Sequence, residues 1–229
     1  MKFIKNIVKI KPGEGKMVLI FFLFSFFLVA MGLVAKTAKD AYFLSRFEKS
    51  ILPLMFLGVA IFIAPILTYY TKLSKKLSPR LLLIITSSIF IASFIIVQPM
   101  ITGWVIPTVY IWIEIVVGIM IIQFWGTAAE SFEPQQAKRL FGIIGGGGSF
   151  AVMLIGMNLK PFVKAFGTDE LLFLAAGLLA LTTLFGVNAI KYLKKVPVKK
   201  ISTPTKKKKK KTDPFIIGIG TIVLDRKSV

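Results

Sequence analysis

Cysteine and histidine are both absent from the 229 residues, and acidic side chains are scarce, ten Asp and Glu against thirty Lys and Arg. The first two absences exclude disulfide frameworks, thiol nucleophiles, Cys/His zinc sites, imidazole general bases and histidine-ligated haem. The shortage of acid leaves a formal charge of +20, but thirteen of the bases and only two of the acids fall within residues 191–229, so that segment alone carries +11. The basicity is therefore largely local to one end of the chain. What is abundant is apolar: 55% hydrophobic and 13% aromatic residues, with a mean hydropathy of +0.79. A soluble enzyme with a polar surface does not carry that composition. An integral membrane protein does.

A helix needs about 20 predominantly apolar residues to cross ~30 Å of hydrocarbon. Six such runs occur, at residues 17–35, 52–70, 81–99, 104–132, 140–162 and 171–193. They are continuously apolar, not alternating, and backbone polar groups in lipid must be satisfied within the segment, so helices are expected and barrel strands are not. The expected fold is all-α, a polytopic bundle of six transmembrane helices. The expected organisation is a basic arm (1–16), the bundle (17–193), a basic linker (194–213) and a short apolar remnant (214–229). The first run also invites comparison with a signal peptide. It is longer than the usual ~7–15 apolar residues of such signals, and Ala35-Lys36-Thr37-Ala38 lacks the small-x-small spacing of a cleavage site.

Lys and Arg in the short connections set orientation, because positive residues are retained on the cytoplasmic side. The N-terminal arm, the second and fourth connections and the tail hold twenty-four of them, and the opposite side six, counting Lys36 and Lys39 with the first connection. Both termini are expected in the cytoplasm. The tail contains Pro197, Pro204 and six consecutive lysines at 206–211. It reads as a self-repelling, solvated segment that acts as a linker or as an anionic-lipid contact, and no stacking aromatics interleave its lysines as nucleic-acid binding would require. The apolar stretch at 214–224 is too short to span, as if a seventh helix were begun and not completed.

Ionisable groups within membrane spans are costly, which makes each a functional candidate. Glu114 lies ten residues into the fourth run, about 15 Å deep at the helical rise. Such a carboxylate pairs with a cation, faces a wet cavity, or takes up a proton and bonds a neighbouring helix. Lys36, Lys39 and Asp40 follow the first run, with Lys36 and Asp40 spaced i,i+4, so the first helix can continue outward through a charged turn. Lys39 is expected at the outer boundary, either as a cavity cation or as an interfacial lysine that snorkels. Whether Lys39 and Glu114 meet is left open by spacing. Gly145 to Gly148 lack the Lys-Ser or Lys-Thr of a phosphate loop. Gly142 and Gly146, with Gly145 and Ser149, are small residues at four-residue spacing, which predicts close helix packing or a hinge.

The stretch Gln123-Phe124-Trp125-Gly126, continuing through Glu130, Glu133, Gln136, Lys138, Arg139 and Gly142 into the glycines, resembles the fourth-to-fifth helix connection of the ATP/ADP translocase family. Lys39-Asp40 is similar to that family's Lys-Asp pair, and Glu114 falls where the family has an acidic residue. At Ala129-Glu130 the chain departs from the best characterised exchangers, which have Asn after the Phe-Trp element. The resemblance implies one half of a major-facilitator-like fold, nucleotide binding and ATP:ADP exchange, with the bilayer and a nucleotide as partners. It further implies that Lys39 engages phosphate, that Asp40 and Glu114 line the cavity, and that Lys138 and Arg139 serve a gate or phosphate entry. On this reading the chain is the amino-terminal half of a carrier of the bacterial cytoplasmic membrane, completed by a carboxy-terminal half or a partner subunit. Neither enzyme activity nor a cofactor is expected.

Overall fold

The computed structural model describes residue 11, residues 13–74 and residues 76–193. The expectations placed on most of the basic arm, on Lys75, and on the linker and remnant at 194–229 lie outside the described residues. Six helices run in order: α1 (Gly15–Leu44), α2 (Leu52–Ser74), α3 (Pro79–Val97), α4 (Val105–Ser131), α5 (Pro134–Phe166) and α6 (Leu171–Ile190). Short 3-10 turns at Lys49–Ile51 and Gln98–Met100 precede α2 and follow α3. All six helices are long and apolar enough to cross a bilayer, and the described residues contain no strand. This is the all-α build of an integral membrane protein.

Helix ends follow local chemistry. The Ser78 hydroxyl accepts the Leu81 N–H at 3.4 Å, with Pro79 as the first helical residue of α3. Glu133 and Gln136 form a capping box around Pro134, so α5 begins at Pro134 and not at residue 140, where its apolar run begins. Gly167, at φ 89°, ends α5 in a conformation that side-chain-bearing residues avoid. α1 continues past residue 35, the end of its apolar run, to Leu44. Its charged turn stays helical because Lys36, Lys39 and Asp40 all find partners.

α1 is the hub. It packs against α6, α5 and α4, while α3 packs on α6 and α2 on α4. Its buried positions include Phe21, Phe24, Leu28, Met31, Ala35, Ala38 and Tyr42, recurring every three or four residues. Lipid tails are as apolar as these side chains, so close packing, not water exclusion, holds the helices together. Aromatic pairs supply much of it: Phe21 meets Phe132 at 4.9 Å and Phe24 meets Phe124 at 5.0 Å, both edge to face, and Phe27 stacks on Phe185 at 5.2 Å. α2 buries only Tyr70 and turns Leu54, Phe56, Ile61 and Phe62 outward. That face suits lipid.

The glycine-rich stretch lies inside a continuous α5, so there is no break at a hinge. The contact surface also differs from the expected one. A Cβ at Gly142, Gly145 or Gly146 would meet nothing within 4 Å, and Ser149 is exposed. Gly147 and Gly148 instead face α1. A Cβ on Gly147 would run into the Phe22 carbonyl, and one on Gly148 would lie 2.9 Å from Val29. The period explains the difference: the buried positions of α5 are Leu140, Ile144, Gly147, Gly148 and Ala151, a stripe rotated away from Gly142 and Gly146.

Hydroxyls in the spans are mostly satisfied within their own helix. Thr37, Thr68, Thr71, Thr182 and Thr183 each donate to the carbonyl four residues earlier at 2.7–2.9 Å. These residues need no partner helix. Because the Phe22 backbone cannot yield, Gly147→Ala is expected to cost about 1–3 kcal/mol. Gly142→Ala is expected to be neutral or to stabilise by up to about 1 kcal/mol through better helix propensity. Thermal unfolding in detergent checks both, and a Gly147→Ala protein as stable as the wild type would contradict the packing described.

Candidate functional site

Two turns near the end of α1 and two turns of α4 bring the charged residues of the spans together. Lys36, Lys39 and Asp40 share one face of α1, spaced three and four residues apart, and Tyr110 and Glu114 are four apart on α4. The Glu114 carboxylate lies between the two lysines. Lys36 Nζ reaches Oε2 at 3.0 Å, and Lys39 Nζ reaches Oε1 at 3.2 Å. Lys39 also donates to Asp40 Oδ1 at 3.1 Å and stands 3.5 Å above the centre of the Tyr110 ring. Two cations and two anions sum to zero, which is how such charges are tolerated away from water.

Burial divides the network. The Lys39 side chain is 4% exposed and that of Glu114 19%, whereas Lys36 and Asp40 are 44% and 50% exposed. The inner half is sealed against Tyr110 and the outer half is open. Lys39 is thus a buried cation inside α1 and not an interfacial lysine that snorkels. The i,i+4 pairing of Lys36 with Asp40 is also replaced, because Asp40 turns to Lys39 and Lys36 turns to Glu114. Lys36 is the site residue that sequence reasoning passed over. Its signal was present, one turn before Lys39 on the same face.

The end of α1 is pinned from two sides. The Tyr42 hydroxyl donates to the carbonyls of Thr168 and Asp169 at 3.1 and 3.3 Å, and Arg46 Nη1 donates to the Ile101 carbonyl at 3.2 Å. These contacts tie α1 to the connections before α6 and before α4. They hold Lys36 and Lys39 at a set height against Glu114.

Arg139 belongs to a second cluster at the opposite end of α1. Its Nη2 donates to both oxygens of Glu14 at 2.7 and 2.8 Å, Gln136 Nε2 donates to Glu14 at 3.1 Å, and the Lys11 backbone N–H donates at 2.9 Å. Lys138 is exposed, while Arg139 is partly buried. The two residues expected to act together therefore have separate surroundings, and Arg139 already holds a carboxylate. Glu14 precedes the first apolar run, where nothing in the pattern marks it. The Lys11 N–H, then the Arg139 guanidinium, hold the Glu14 carboxyl below its ordinary value of 4.5.

The chain matches no family model, no curated protein and no solved structure. The likeness to nucleotide exchangers rests on the quoted motifs alone.

The geometry at Glu114 offers anion capture: two ammonium groups spaced to take two oxygens of one acid. Removing Glu114 leaves the buried Lys39 with Asp40 alone and releases the half-exposed Lys36 to its surroundings, so Glu114→Ala is expected to cost about 1–3 kcal/mol. Combining it with Lys39→Met should cost less than the sum of the singles, a coupling of about 0.5–3 kcal/mol in a double-mutant cycle. Strict additivity in unfolding measurements would argue that the pair does not interact. For Glu14, a lowered folded-state pKa means a contribution to stability present above about pH 4.5 and lost as pH falls through the folded value. Glu14→Gln should flatten the acid side of a plot of melting temperature against pH, and an unchanged profile would count against the latch.

Proposed function

We propose that this chain is the amino-terminal half of a secondary transporter that binds an anionic solute, of nucleotide type, at Lys36 and Lys39. The observation that carries the proposal is the clamp on Glu114. A carboxylate held by two lysines, one of them buried, occupies the position that a phosphate or carboxylate of a substrate would take. Glu114 is then a built-in counterion, neutralising the lysines when the site is empty and yielding them when the solute arrives. Asp40 keeps Lys39 oriented during the exchange of partners. The motif resemblance at Lys39-Asp40, Glu114 and residues 123–142 supports the nucleotide class.

Both cations of such a site lie on this chain, and a second wall would add enclosure, not charge. In this reading a further six-helix unit closes the cavity over the open flank formed by Lys36 and Asp40. The distribution of Lys and Arg supports both termini lying in the cytoplasm, with Glu14 and Arg139 on that side and the Glu114 clamp nearer the outer one. The membrane would be a bacterial cytoplasmic membrane. The chain performs no covalent chemistry of its own.

Competition between Glu114 and the solute separates this role from a purely structural ion pair. With the purified protein in lipid nanodiscs, equilibrium binding of radiolabelled ATP and ADP should weaken by about tenfold or more in Lys39→Ala, a loss of at least about 1.4 kcal/mol. In Glu114→Gln it should strengthen, because the internal competitor is neutral. A folded protein that binds no nucleotide, or an affinity untouched by Lys39→Ala, would reject the reading.

A further inference from the structure

An anion that enters the lysine clamp changes its charge balance. Lys36, Lys39, Asp40 and Glu114 sum to zero as they stand, with 3.0–3.2 Å between opposite charges. Taking the two ammonium groups turns a neutral set into a negative one and strips Glu114 of its partners. Among the described residues its carboxylate has no hydrogen bond or ion pair besides those to the two lysines. An ionised carboxylate left alone within a span is costly.

No other side chain near Glu114 supplies a replacement cation. On α1 the charged groups that face it are the two lysines and Asp40, a further acid, and Tyr42 and Arg46 are turned to backbone carbonyls farther along. On α4, Tyr110 stands one turn away with its ring against the Lys39 ammonium. The ionisable side chains of α2 are Tyr69, Tyr70 and Lys72, and that of α3 is Arg80, all toward the opposite end of the bundle. Tyr70 is held there by Gln123, whose amide also reaches Thr86 on α3. Gln123 lies about 13.5 Å from Glu114 along α4 at the helical rise. α6 carries no ionisable side chain, and Lys160 and Lys164 of α5 are exposed. Water reaches the half-exposed Lys36 and Asp40, which leaves a proton as the positive charge at hand.

We propose that Glu114 takes up one proton as the anion binds, so that solute and proton occupy the site together. The inference rests on the anion-binding reading of Lys36 and Lys39 and adds the ion coupled to it. The proton passes from water to a Glu114 carboxylate oxygen, and the neutral acid releases both ammonium groups. Lys36, Lys39 and Asp40 then carry +1 toward the anion, where the fully ionised set carried none. Glu114 receives the proton in preference to Asp40 because Asp40 is half exposed and keeps its charge in water, whereas Glu114 is 19% exposed. Linkage makes the effect reciprocal: protonation favours the anion by the factor by which the anion favours protonation. A carrier loaded this way moves solute and proton in the same direction, and a proton gradient then drives accumulation of the solute.

The test is titration calorimetry of ATP with the full chain in nanodiscs at pH 8, where ATP itself is almost fully ionised. Repeating it in buffers of different ionisation enthalpy counts the protons taken up. About one proton per ATP is expected in the wild type and none in Glu114→Gln. Between pH 7.5 and 8.5 the wild-type affinity should fall about fivefold or more, approaching the tenfold per pH unit that one linked proton gives, and that of Glu114→Gln by less than about twofold. Asp40→Asn should keep the uptake, which assigns the proton to Glu114; where Glu114→Gln folds poorly, the wild-type and Asp40→Asn counts decide. ATP bound with no proton uptake, or with equal uptake in Glu114→Gln, would overturn the proposal and leave the anion site standing. A folded protein that binds no ATP would overturn both.

Discussion

The pairing of Glu114 with two lysines is the interaction on which the bundle's charged interior depends. In low dielectric an isolated carboxylate or ammonium is too costly to keep, and a neutral set with short contacts is not. That requirement dictates the neighbourhood. α1 must extend to Leu44 to bring Lys36 and Lys39 level with Glu114. α4 must place Tyr110 one turn from Glu114, so that the Lys39 ammonium rests on an aromatic face and not on an aliphatic side chain. Tyr42 and Arg46 then fasten the end of α1 to backbone carbonyls outside the helices.

The remainder of the fold serves to hold α1 in that position without water. Gly147 lets α5 approach the backbone of α1, Gly148 leaves room for the Val29 side chain, and Gly186 on α6 leaves room for the side chains of Leu83 from α3 and Phe24 from α1, from which a Cβ would stand 2.7 and 3.0 Å. Threonines satisfy their hydroxyls within their own helix. Among the polar features that need another helix are the Glu114 clamp, the Glu14–Arg139 latch, the Gln123 hub and the Trp112–Ser93 hydrogen bond. Each of these involves α1 or α4, and these two helices bury half of their most apolar windows.

The six helices were legible because membrane spans announce themselves by length and continuous apolarity, and no tertiary detail is needed to see them. Helix ends were less legible. The charged turn of Lys36, Lys39 and Asp40 looks like a boundary until partners on α4 are known. Glu114 stood out by its cost in lipid, and Lys39 by its place beside Asp40, but their contact depends on the rotation of α1 against α4, which one-dimensional spacing does not contain. Rotation also explains the glycines. Four consecutive ones at Gly145 to Gly148 offer every face of α5, and only packing selects Gly147 and Gly148. Gln123 and Glu14 carried no signal as a hub or a latch, since an amide in an apolar run and an acid ahead of one acquire meaning only from residues on other helices, far away in the chain.

The central claim is that Glu114 is a displaceable counterion and that Lys36 forms the open edge of an anion site. Site-resolved acylation of lysines by an amine-reactive reagent, read by mass spectrometry with and without ATP, tests it most directly. The account predicts that Lys36 reacts and Lys39 does not in the empty protein, that ATP protects Lys36, and that Glu114→Gln speeds reaction at both in the absence of ATP. Lys36 labelled at the same rate with and without ATP, in protein shown to be folded, would contradict it and leave the lysine clamp a structural ion pair.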